Sequence, residues 1–418
     1  MKYLIKNCTI VQKGSNLHLK KKDILIDKGI IVNIGKGIID AKAQIIKSKN
    51  LHVSVGWMDI GVHLGEPGYE QRETFDSLAK SAFSGGYTDI VTMPLSMPTI
   101  QTKAQLKNII DQGKNNGLDI HPLGALSQDM DGENITEFVD MDNGGAVGFT
   151  DGLSPIKEAG LLMRALQYVK RFDGLVLHHP NDKSLSNGDL IHEGIVSTSM
   201  GMKGSPSMAE ELMLNRDLKI QEYTDSRLCV HLISTKGAID LIKKCKKDNQ
   251  KLSTGVSYLN LIKSDEDMID FDSHYKVQPI LRAKSDQKAL RKGVTSDVID
   301  YISSNHYPLE VEKKQLEYAY ADHGAIGLET CYAAINTFIK DISTEVIIDK
   351  LTTGPRKTMN LPQLKIENGE VAKLTIFDPT IEWKYDTIKS SSNNTPFYNQ
   401  EFVGKVIGSI NGKNAVIV

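Results

Sequence analysis

Cysteine is scarce in this 418-residue chain, and the four that occur are scattered. They stand at Cys8, Cys229, Cys245 and Cys331, with no Cys-x-x-Cys pair among them. Such spacing argues against both a disulfide framework and a cysteine-based zinc knuckle. It is typical of a protein kept in a reducing cytoplasm, so we expect a cytoplasmic location.

Long hydrophobic runs are also missing. No stretch approaches the roughly 18 apolar residues that a membrane span needs. The first residues are apolar in part, but Lys6 and Asn7 interrupt them and no small-residue cleavage site follows. We therefore expect neither a membrane span nor a secretory signal.

Neither sign of charge is in excess, since 50 Lys and Arg face 52 Asp and Glu. A nucleic-acid or membrane partner is therefore not expected. Two lysine clusters, at 20–22 and 243–247, suggest phosphate binding at first sight. A solvated loop and a solvated helix face explain them more simply.

Both ends of the chain carry short β-type patterns separated by turn residues. Residues 1–52 contain strand candidates at 3–5, 23–27 and 30–34, and the segment from 364 contains others at 373–377 and 403–407. No internal repeat is visible. We expect these two segments to form a β-rich unit.

The middle of the chain alternates short apolar strands with amphipathic helices over about 300 residues. Helices are predicted at 74–84, 155–171 and 207–224, the last starting with either Ser205-Pro206 or Ser207…Glu210. The strand candidates are 90–93, 146–149, 175–178 and 228–231. Such alternation predicts a parallel α/β architecture, for which a (β/α)8 barrel is the natural candidate. Periodicity by itself does not separate it from an open doubly wound sheet.

Histidine and aspartate recur where these strands end. They are Asp59 and His63, Asp151, His178 with His179, and His231. Catalytic groups of α/β barrels lie at the carboxyl ends of strands. The recurrence at four strand ends therefore favours an ancestral metal site over unrelated structural residues.

Several motifs together resemble one family. Residues 56–68, Gly-Trp-Met-Asp-Ile-Gly-Val-His-Leu-Gly-Glu-Pro-Gly, resemble the dihydroorotase signature Pro-Gly-x-x-Asp-x-His-x-His-Leu-Arg-Glu-Pro-Gly. Further matches follow in order at 85–88, 93–98, 149–152, 192–194, 204–210, 275–282, 327–330, 377–379 and 394–397. The chain is thus identified as a member of the dihydroorotase group of the amidohydrolase superfamily, over nearly its whole length.

The resemblance implies an amidohydrolase (β/α)8 TIM barrel at 53–363. It also implies a small β-sandwich that 1–52 and 364–418 form together. For a working member, it implies reversible closure of N-carbamoyl-aspartate to dihydroorotate at a zinc centre.

The metal-ligand positions depart from the family pattern. The first histidine of His-x-His is Gly61, and only His63 remains. His178 matches the third histidine position, whereas the next ligand position is Leu232. His231 lies one residue earlier, and on a strand its side chain would point to the opposite face. Asn305 replaces the aspartate that serves as ligand and base, and an amide does not accept the proton.

The family's Asp-Asp-Gly turn supplies a bridging ligand, and here it reads Asp151-Gly152-Leu153. Which of the two family aspartates is the ligand stays open. His63, Asp151 and His178 are therefore the residual metal-ligand candidates. We expect no cofactor, or at most one weakly bound zinc.

The positions that bind substrate in the family are depleted as well. Gly65 stands where an arginine clamps the substrate carboxylate, and Leu95 replaces an asparagine. Gln278 keeps an amide on a longer arm, and Leu309 replaces a histidine.

These departures predict a catalytically inactive homologue with a structural or regulatory role in pyrimidine biosynthesis. By analogy with inactive relatives, aspartate transcarbamoylase is the candidate partner, and a homodimer is expected. The alternative is an active metal-dependent cyclic amidohydrolase, of dihydroorotase, hydantoinase or allantoinase type, with an atypical site.

Overall fold

The structure is a computed structural model that describes residues 2–186, 188–247 and 249–417. Its strands are β1 Lys2–Ile10, β2 Lys21–Asp27, β3 Ile30–Gly35, β4 Gln44–Ile46, β5 His52–Val55, β6 Trp57–Val62, β7 Tyr87–Thr92, β8 Asp119–Pro122, β9 Gly124–Ala125, β10 Phe149–Thr150, β11 Leu175–His178, β12 Ile191–His192, β13 Gly204–Ser205, β14 Arg227–Val230, β15 Leu252–Ser257, β16 Tyr301–Ser303, β17 Lys373–Lys384, β18 Glu401–Asn411 and β19 Asn414–Ile417.

The α-helices alternate with the central strands. They are α1 Phe75–Ser84, α2 Lys103–Asn115, α3 Phe138–Asp142, α4 Ala159–Val169, α5 Lys183–Ser186, α6 Ile195–Met200, α7 Met208–Thr224, α8 Lys236–Lys246, α9 Tyr258–Ile262, α10 Lys284–Thr295, α11 Val311–Lys314, α12 Cys331–Phe338, α13 Thr344–Leu351 and α14 Thr353–Thr358. In the described part of the chain, no helix is both long and apolar enough to cross a membrane.

The central strands run parallel and close into a barrel. One arc runs β6-β7-β8 and the other β9-β10-β11-β14-β15-β16. Leu123 joins the two arcs on one side, because its N–H donates to the Thr92 carbonyl at 2.9 Å. On the other side, the His63 N–H donates to the His306 carbonyl at 2.9 Å. Since β8 and β9 make one interrupted strand, the described residues form a (β/α)8 barrel, as predicted.

The two ends of the chain meet in one sheet, in the order β19-β18-β17-β5-β1-β2-β3, with β4 paired to β1. The junction is the antiparallel pairing of β17 with β5. This sheet has its own apolar core and contacts the barrel through Thr375, which donates to the Gly86 carbonyl at 2.6 Å. The division into domains at 52/53 and 363/364 stays a prediction.

The barrel interior is apolar at its centre. A buried cluster there includes Met58, Ile60, Leu177, Cys229 and Tyr301. A second and larger cluster lies between the strands and the surrounding helices. Because parallel strands are buried on both faces, they are apolar along most of their length, which is why they could be recognised as short apolar runs.

Local structure differs from expectation in four places. The helix predicted from residue 155 begins at Ala159, and β10 is restricted to Phe149–Thr150. Ser207 precedes α7 but makes no side-chain cap. Its expected partner Glu210 instead accepts hydrogen bonds from the backbone N–H groups of Ser234 and Thr235. Asp59 lies within β6 rather than after it.

Candidate functional site

His63 follows β6 and lies buried at the carboxyl end of the barrel. Its ring stacks on that of Tyr307, with centroids 3.7 Å apart. Neither ring nitrogen has a hydrogen-bond partner among the described residues. Burial, together with the neighbouring His306 and Arg72, lowers the pKa of His63 to about 3, so the imidazole is neutral near pH 7.

His178 ends β11, and both of its ring nitrogens are engaged. Nδ1 donates to the Asp217 carboxylate at 2.6 Å, which fixes the tautomer. Nε2 then carries the lone pair, and it accepts the backbone N–H of Ile156 at 2.9 Å. A carboxylate on the far nitrogen is the arrangement that orients metal-binding histidines. In this structure Nε2, the nitrogen that would face a metal, already accepts a hydrogen bond from the protein backbone.

Asp151 follows β10 and is likewise held by protein donors. One carboxylate oxygen accepts the N–H groups of Leu126 and Ser127, each at 2.9 Å, and the other accepts the Ser127 hydroxyl at 2.6 Å. Burial raises the pKa of Asp151, while the hydrogen bonds from Ser127 counteract that rise. The carboxylate is therefore tied to the loop after β9.

His231 enters the barrel interior beside Gly61. Its Nδ1 forms a hydrogen bond of 2.7 Å with the Tyr301 hydroxyl, and its Nε2 has no partner in the described chain. A Cβ atom added to Gly61 would lie 2.6 Å from that Nε2. The His231 ring thus fills the volume next to the position where the family has a histidine.

His231 lies just beyond the end of its strand, so strand geometry does not fix the direction of its side chain. β14 stops at Val230, and Leu232 has a φ of 57°, so strand alternation does not continue through these residues. Leu232 is fully buried and carries no ligating atom. Asn305 uses its amide Nδ2 to donate to the Gln278 carbonyl at 2.9 Å.

The environment of Gly65 leaves no room for a side chain. A Cβ atom there would overlap the backbone of Glu73. Glu73 is itself buried, and it contacts His306 Nε2 at 3.2 Å. An arginine clamp at position 65 is incompatible with this packing.

A zinc ion would have to displace protein hydrogen bonds to bind these residues as they are arranged. A catalytic zinc typically needs three protein ligands with free lone pairs and one open position. Of His63, Asp151 and His178, only His63 has no protein hydrogen bond. In the described ranges, no group of three or more His, Cys, Asp or Glu side chains is placed to hold a metal. The prediction of one weak zinc at these residues remains a prediction.

A small polar pocket of about 50 Å³ opens beside this site. His179, Lys183, Arg282 and His323 contribute positive or ionisable groups to its wall, and Glu210 a carboxylate. Burial, followed by Lys276 and Lys314, lowers the pKa of His323 to about 3. Sequence reasoning gave no role to Lys183, Arg282 or His323, although it noted His179 at a strand end and Glu210 at the start of a helix. No local signal marks the pocket, because Arg282 and His323 join His179 from more than a hundred residues further along the chain.

The chain resembles known proteins over its whole length. The profile of the family described as "Dihydro-orotase-like" matches residues 52–238. The chain is 34% identical over 424 aligned residues to a protein named dihydroorotase from Pelotomaculum thermopropionicum, covering all of this chain and 99% of that one. It is also 34% identical to a dihydroorotase from a Thermoanaerobacter species, over 97% of this chain and 95% of the other.

Solved structures share the fold. The L-hydantoinase (dihydropyrimidinase) from Arthrobacter aurescens superposes with a TM-score of 0.86 at 22% identity, over 99% of this chain and 96% of that one. The dihydropyrimidinase from Brevibacillus agri gives 0.83 at 19% identity, over 100% and 95%. With the barrel closed, the terminal strands joined in one sheet and the relatives aligned from end to end, the chain belongs to the dihydroorotase-like family.

Proposed function

We propose that this chain is a catalytically inactive dihydroorotase homologue with a structural or regulatory role in pyrimidine biosynthesis. One observation carries the proposal: His178 and Asp151, two of the three retained ligand candidates, have their acceptor atoms engaged by protein donors. A metal would have to displace the Ile156 N–H and the Ser127 hydroxyl before it could bind them.

The chemistry of the remaining positions supports the same conclusion. Opening or closing a cyclic amide needs a base for the attacking group and an anchor for the substrate carboxylate. Asn305 offers an amide in place of the base, and loss of one such base typically costs about 10²–10⁴-fold in rate. Gly65 has no space for an anchoring side chain.

Metal content and turnover test the proposal directly. We expect purified protein to contain well under one tightly bound zinc per chain. We also expect no conversion between dihydroorotate and N-carbamoyl-aspartate after zinc or cobalt is added. The Pelotomaculum relative, purified and assayed in parallel, is the control for metal loading and assay conditions. A turnover within the ordinary enzyme range of roughly 1–10³ per second would refute inactivity.

For the role itself we propose a complex with aspartate transcarbamoylase in the cytoplasm, with this chain present as a homodimer. The chain is nearly neutral in net charge, so we expect a mixed apolar and polar interface that moderate salt weakens little. Co-purification with light scattering at two salt concentrations tests this. If the chain elutes alone and leaves the transcarbamoylase's size and activity unchanged, the proposed complex is wrong.

One observation favours the alternative, an active cyclic amidohydrolase with an atypical site. Three ring nitrogens, both of His63 and Nε2 of His231, are buried without partners in the described chain. Neutral imidazole nitrogens of this kind suit a bound ligand. A screen of hydantoins, allantoin and other cyclic ureides with added zinc tests that alternative, and turnover of any of them would replace the inactive assignment.

A further inference from the structure

A second and larger cavity lies at the opposite end of the barrel, where the strands begin. Its floor is formed by Leu175 and Leu252, the first residues of β11 and β15, and Arg227 begins β14 beside them. The cavity has a volume of about 700 Å³, within the range usual for small-molecule sites. We call it the basal groove. Neither the candidate active site nor the family resemblance assigns it a role.

The basal groove is strongly basic although the chain as a whole is not. The formal charge of the protein is −2, yet the described lining contains six cationic side chains against three carboxylates. The cations are Lys13, Arg227, Lys246, Lys251, Lys350 and Lys357, and the carboxylates are Asp297, Asp300 and Asp349. Such a local surplus in a concave site raises the concentration of anions there.

Two of the ammonium groups lie deep in the groove. Lys350 is only 5% exposed and pairs with Asp297 at 2.7 Å, while Asp297 is itself largely exposed. Lys246 is 15% exposed, pairs with Asp300 and donates to the Val298 carbonyl at 2.9 Å. Burial lowers the pKa of Lys246, nearby Lys350 lowers it further, and Asp300 counteracts both. A bound anion near these amines would add to the compensation that Asp297 and Asp300 already supply.

The more exposed cations surround the mouth of the groove. Lys13 is 65% exposed and reaches Asp349 only at 3.9 Å. Lys251 pairs with Asp225, a carboxylate outside the lining, at 2.6 Å. The Lys357 ammonium has no hydrogen bond or ion pair with any described residue. Lys357 and the loosely paired Lys13 therefore leave positive charge available at the entrance.

The remaining lining indicates what kind of anion fits. No aromatic side chain lines the groove within the described residues, so nothing there would stack on a planar base. Hydroxyl and amide groups of Ser253, Thr353 and Asn360 add neutral hydrogen-bonding atoms between the lysines. Lysines act as point charges that suit phosphate oxygens, whereas the Arg227 guanidinium adds charge while donating to the Asp173 and Thr358 carbonyls.

We propose that the basal groove binds a small phosphate ester or polyphosphate carrying at least two negative charges. The basal groove lies at the opposite end of the barrel from the candidate active site. The binding proposal therefore does not depend on whether the protein is catalytically inactive. Binding there gives the protein a means of responding to a phosphorylated metabolite.

Calorimetric titration of the full-length protein with pyrophosphate tests the proposal. We expect saturable binding that weakens as salt rises from about 50 to 200 mM, because the site is open and charged. Lys251→Glu and Lys357→Glu should each weaken binding by about tenfold or more. Lys107→Glu reverses an exposed charge on α2, away from the groove, and should bind like the wild type.

Asp297→Asn should strengthen pyrophosphate binding, whereas the lysine variants should weaken it. It removes a carboxylate from the lining and leaves Lys350 available, so pyrophosphate should bind several-fold more tightly. Circular dichroism confirms that each variant is folded, and general damage would not strengthen binding. The proposal fails if pyrophosphate gives no saturable heat, or if the groove variants bind it like the wild type. It also fails if citrate binds as tightly as pyrophosphate.

Discussion

Any side chain at position 61 would overlap the volume that the His231 ring fills in the barrel interior. Gly61 has a φ of 98°, where a side chain is strained whatever its surroundings. The His231 ring lies against its Cα, held by the Tyr301 hydroxyl. Restoring a histidine at position 61 therefore needs both a different backbone and the departure of His231. A single substitution does not rebuild the family's ligand pair.

A double-mutant cycle measures this competition. Gly61→Ala should destabilise the protein by about 1–3 kcal/mol through overpacking and strain. The Gly61→Ala, His231→Ala double variant should lose less unfolding free energy than the two single variants lose in sum. The difference should be at least about 1 kcal/mol, because the double variant has no clash between the methyl group at position 61 and the His231 ring. Urea unfolding of all four proteins gives the coupling.

Gly14→Ala is the matched control for backbone strain. Its φ is 83° and its surroundings are open, so it reports the cost of the conformation without the clash. If Gly61→Ala costs no more than Gly14→Ala, or if the cycle is additive, the two side chains do not compete.

Strands β6 and β16 are joined at the seam of the barrel by a buried carboxylate. Asp59 of β6 accepts the N–H of Ser304 at 2.9 Å and also its hydroxyl. Burial raises the pKa of Asp59 to about 6, although the hydrogen bonds from Ser304 oppose the rise. In the unfolded chain the same carboxyl ionises near 3.9. Its ionisation between these values therefore favours the unfolded state.

The contribution of Asp59 to the unfolding free energy consequently depends on pH, and the sign of that dependence follows from its raised pKa. Between about pH 4 and pH 6 the folded state binds more protons than the unfolded state, so the contribution of Asp59 to stability falls as pH rises. Asp59→Asn should remove this slope. The unfolding free energy of the wild type, relative to the variant, should fall by roughly 2 kcal/mol from pH 4.5 to pH 7.5. Denaturant titrations at both pH values measure it, and a rising or flat difference would contradict the assignment.

At the scale of the whole molecule, a buried ionic cluster is one of the links between the barrel and the terminal sheet. Asp89 of β7 contacts His121 Nε2 at 2.9 Å, Lys373 Nζ of β17 at 2.8 Å and Arg356 Nη2 at 2.7 Å. Burial would raise the pKa of Asp89, but the hydrogen bond from His121 and the charges of Lys373 and Arg356 lower it instead. The ionised carboxylate is thus the common partner of buried Arg356 and partly buried Lys373.

Removing that carboxylate should uncouple the two parts. Asp89→Ala leaves Arg356 buried without its carboxylate, whereas Lys373 keeps Asp119 at 2.5 Å, so we expect a loss of about 3–5 kcal/mol from the Arg356 charge. Asp76→Ala is the control, since its pair with Lys80 is exposed and should contribute well under about 1 kcal/mol. Thermal unfolding of both variants measures the difference, and equal losses would show that the cluster is not a structural link.

Much of the architecture could be predicted because it depends on patterns local in sequence. Thr74 caps α1 where the helix was expected to begin, and β11 spans the residues predicted for it. Alternation of short apolar strands with helices predicted a parallel α/β architecture, since burial on both faces leaves a strand little choice of residue, and the family resemblance implied that the sheet closes into a barrel. Helix starts were less certain: α4 begins four residues later than predicted, and the Glu210 expected to cap α7 binds the loop at Ser234 instead.

The sequence by itself determined which side chains are available: Gly61, Leu232 and Asn305 carry neither imidazole nor carboxylate in any conformation. Only the tertiary structure decided what the retained groups contact. Asp151 and His178 have their acceptor atoms engaged because folding brings Ser127 and Ile156 within 3 Å of them. Likewise, Lys13 and Lys357 line one groove although most of the chain separates them. Hydrogen bonding and charge act over a few ångströms in space, whereas residue patterns report only neighbours along the chain.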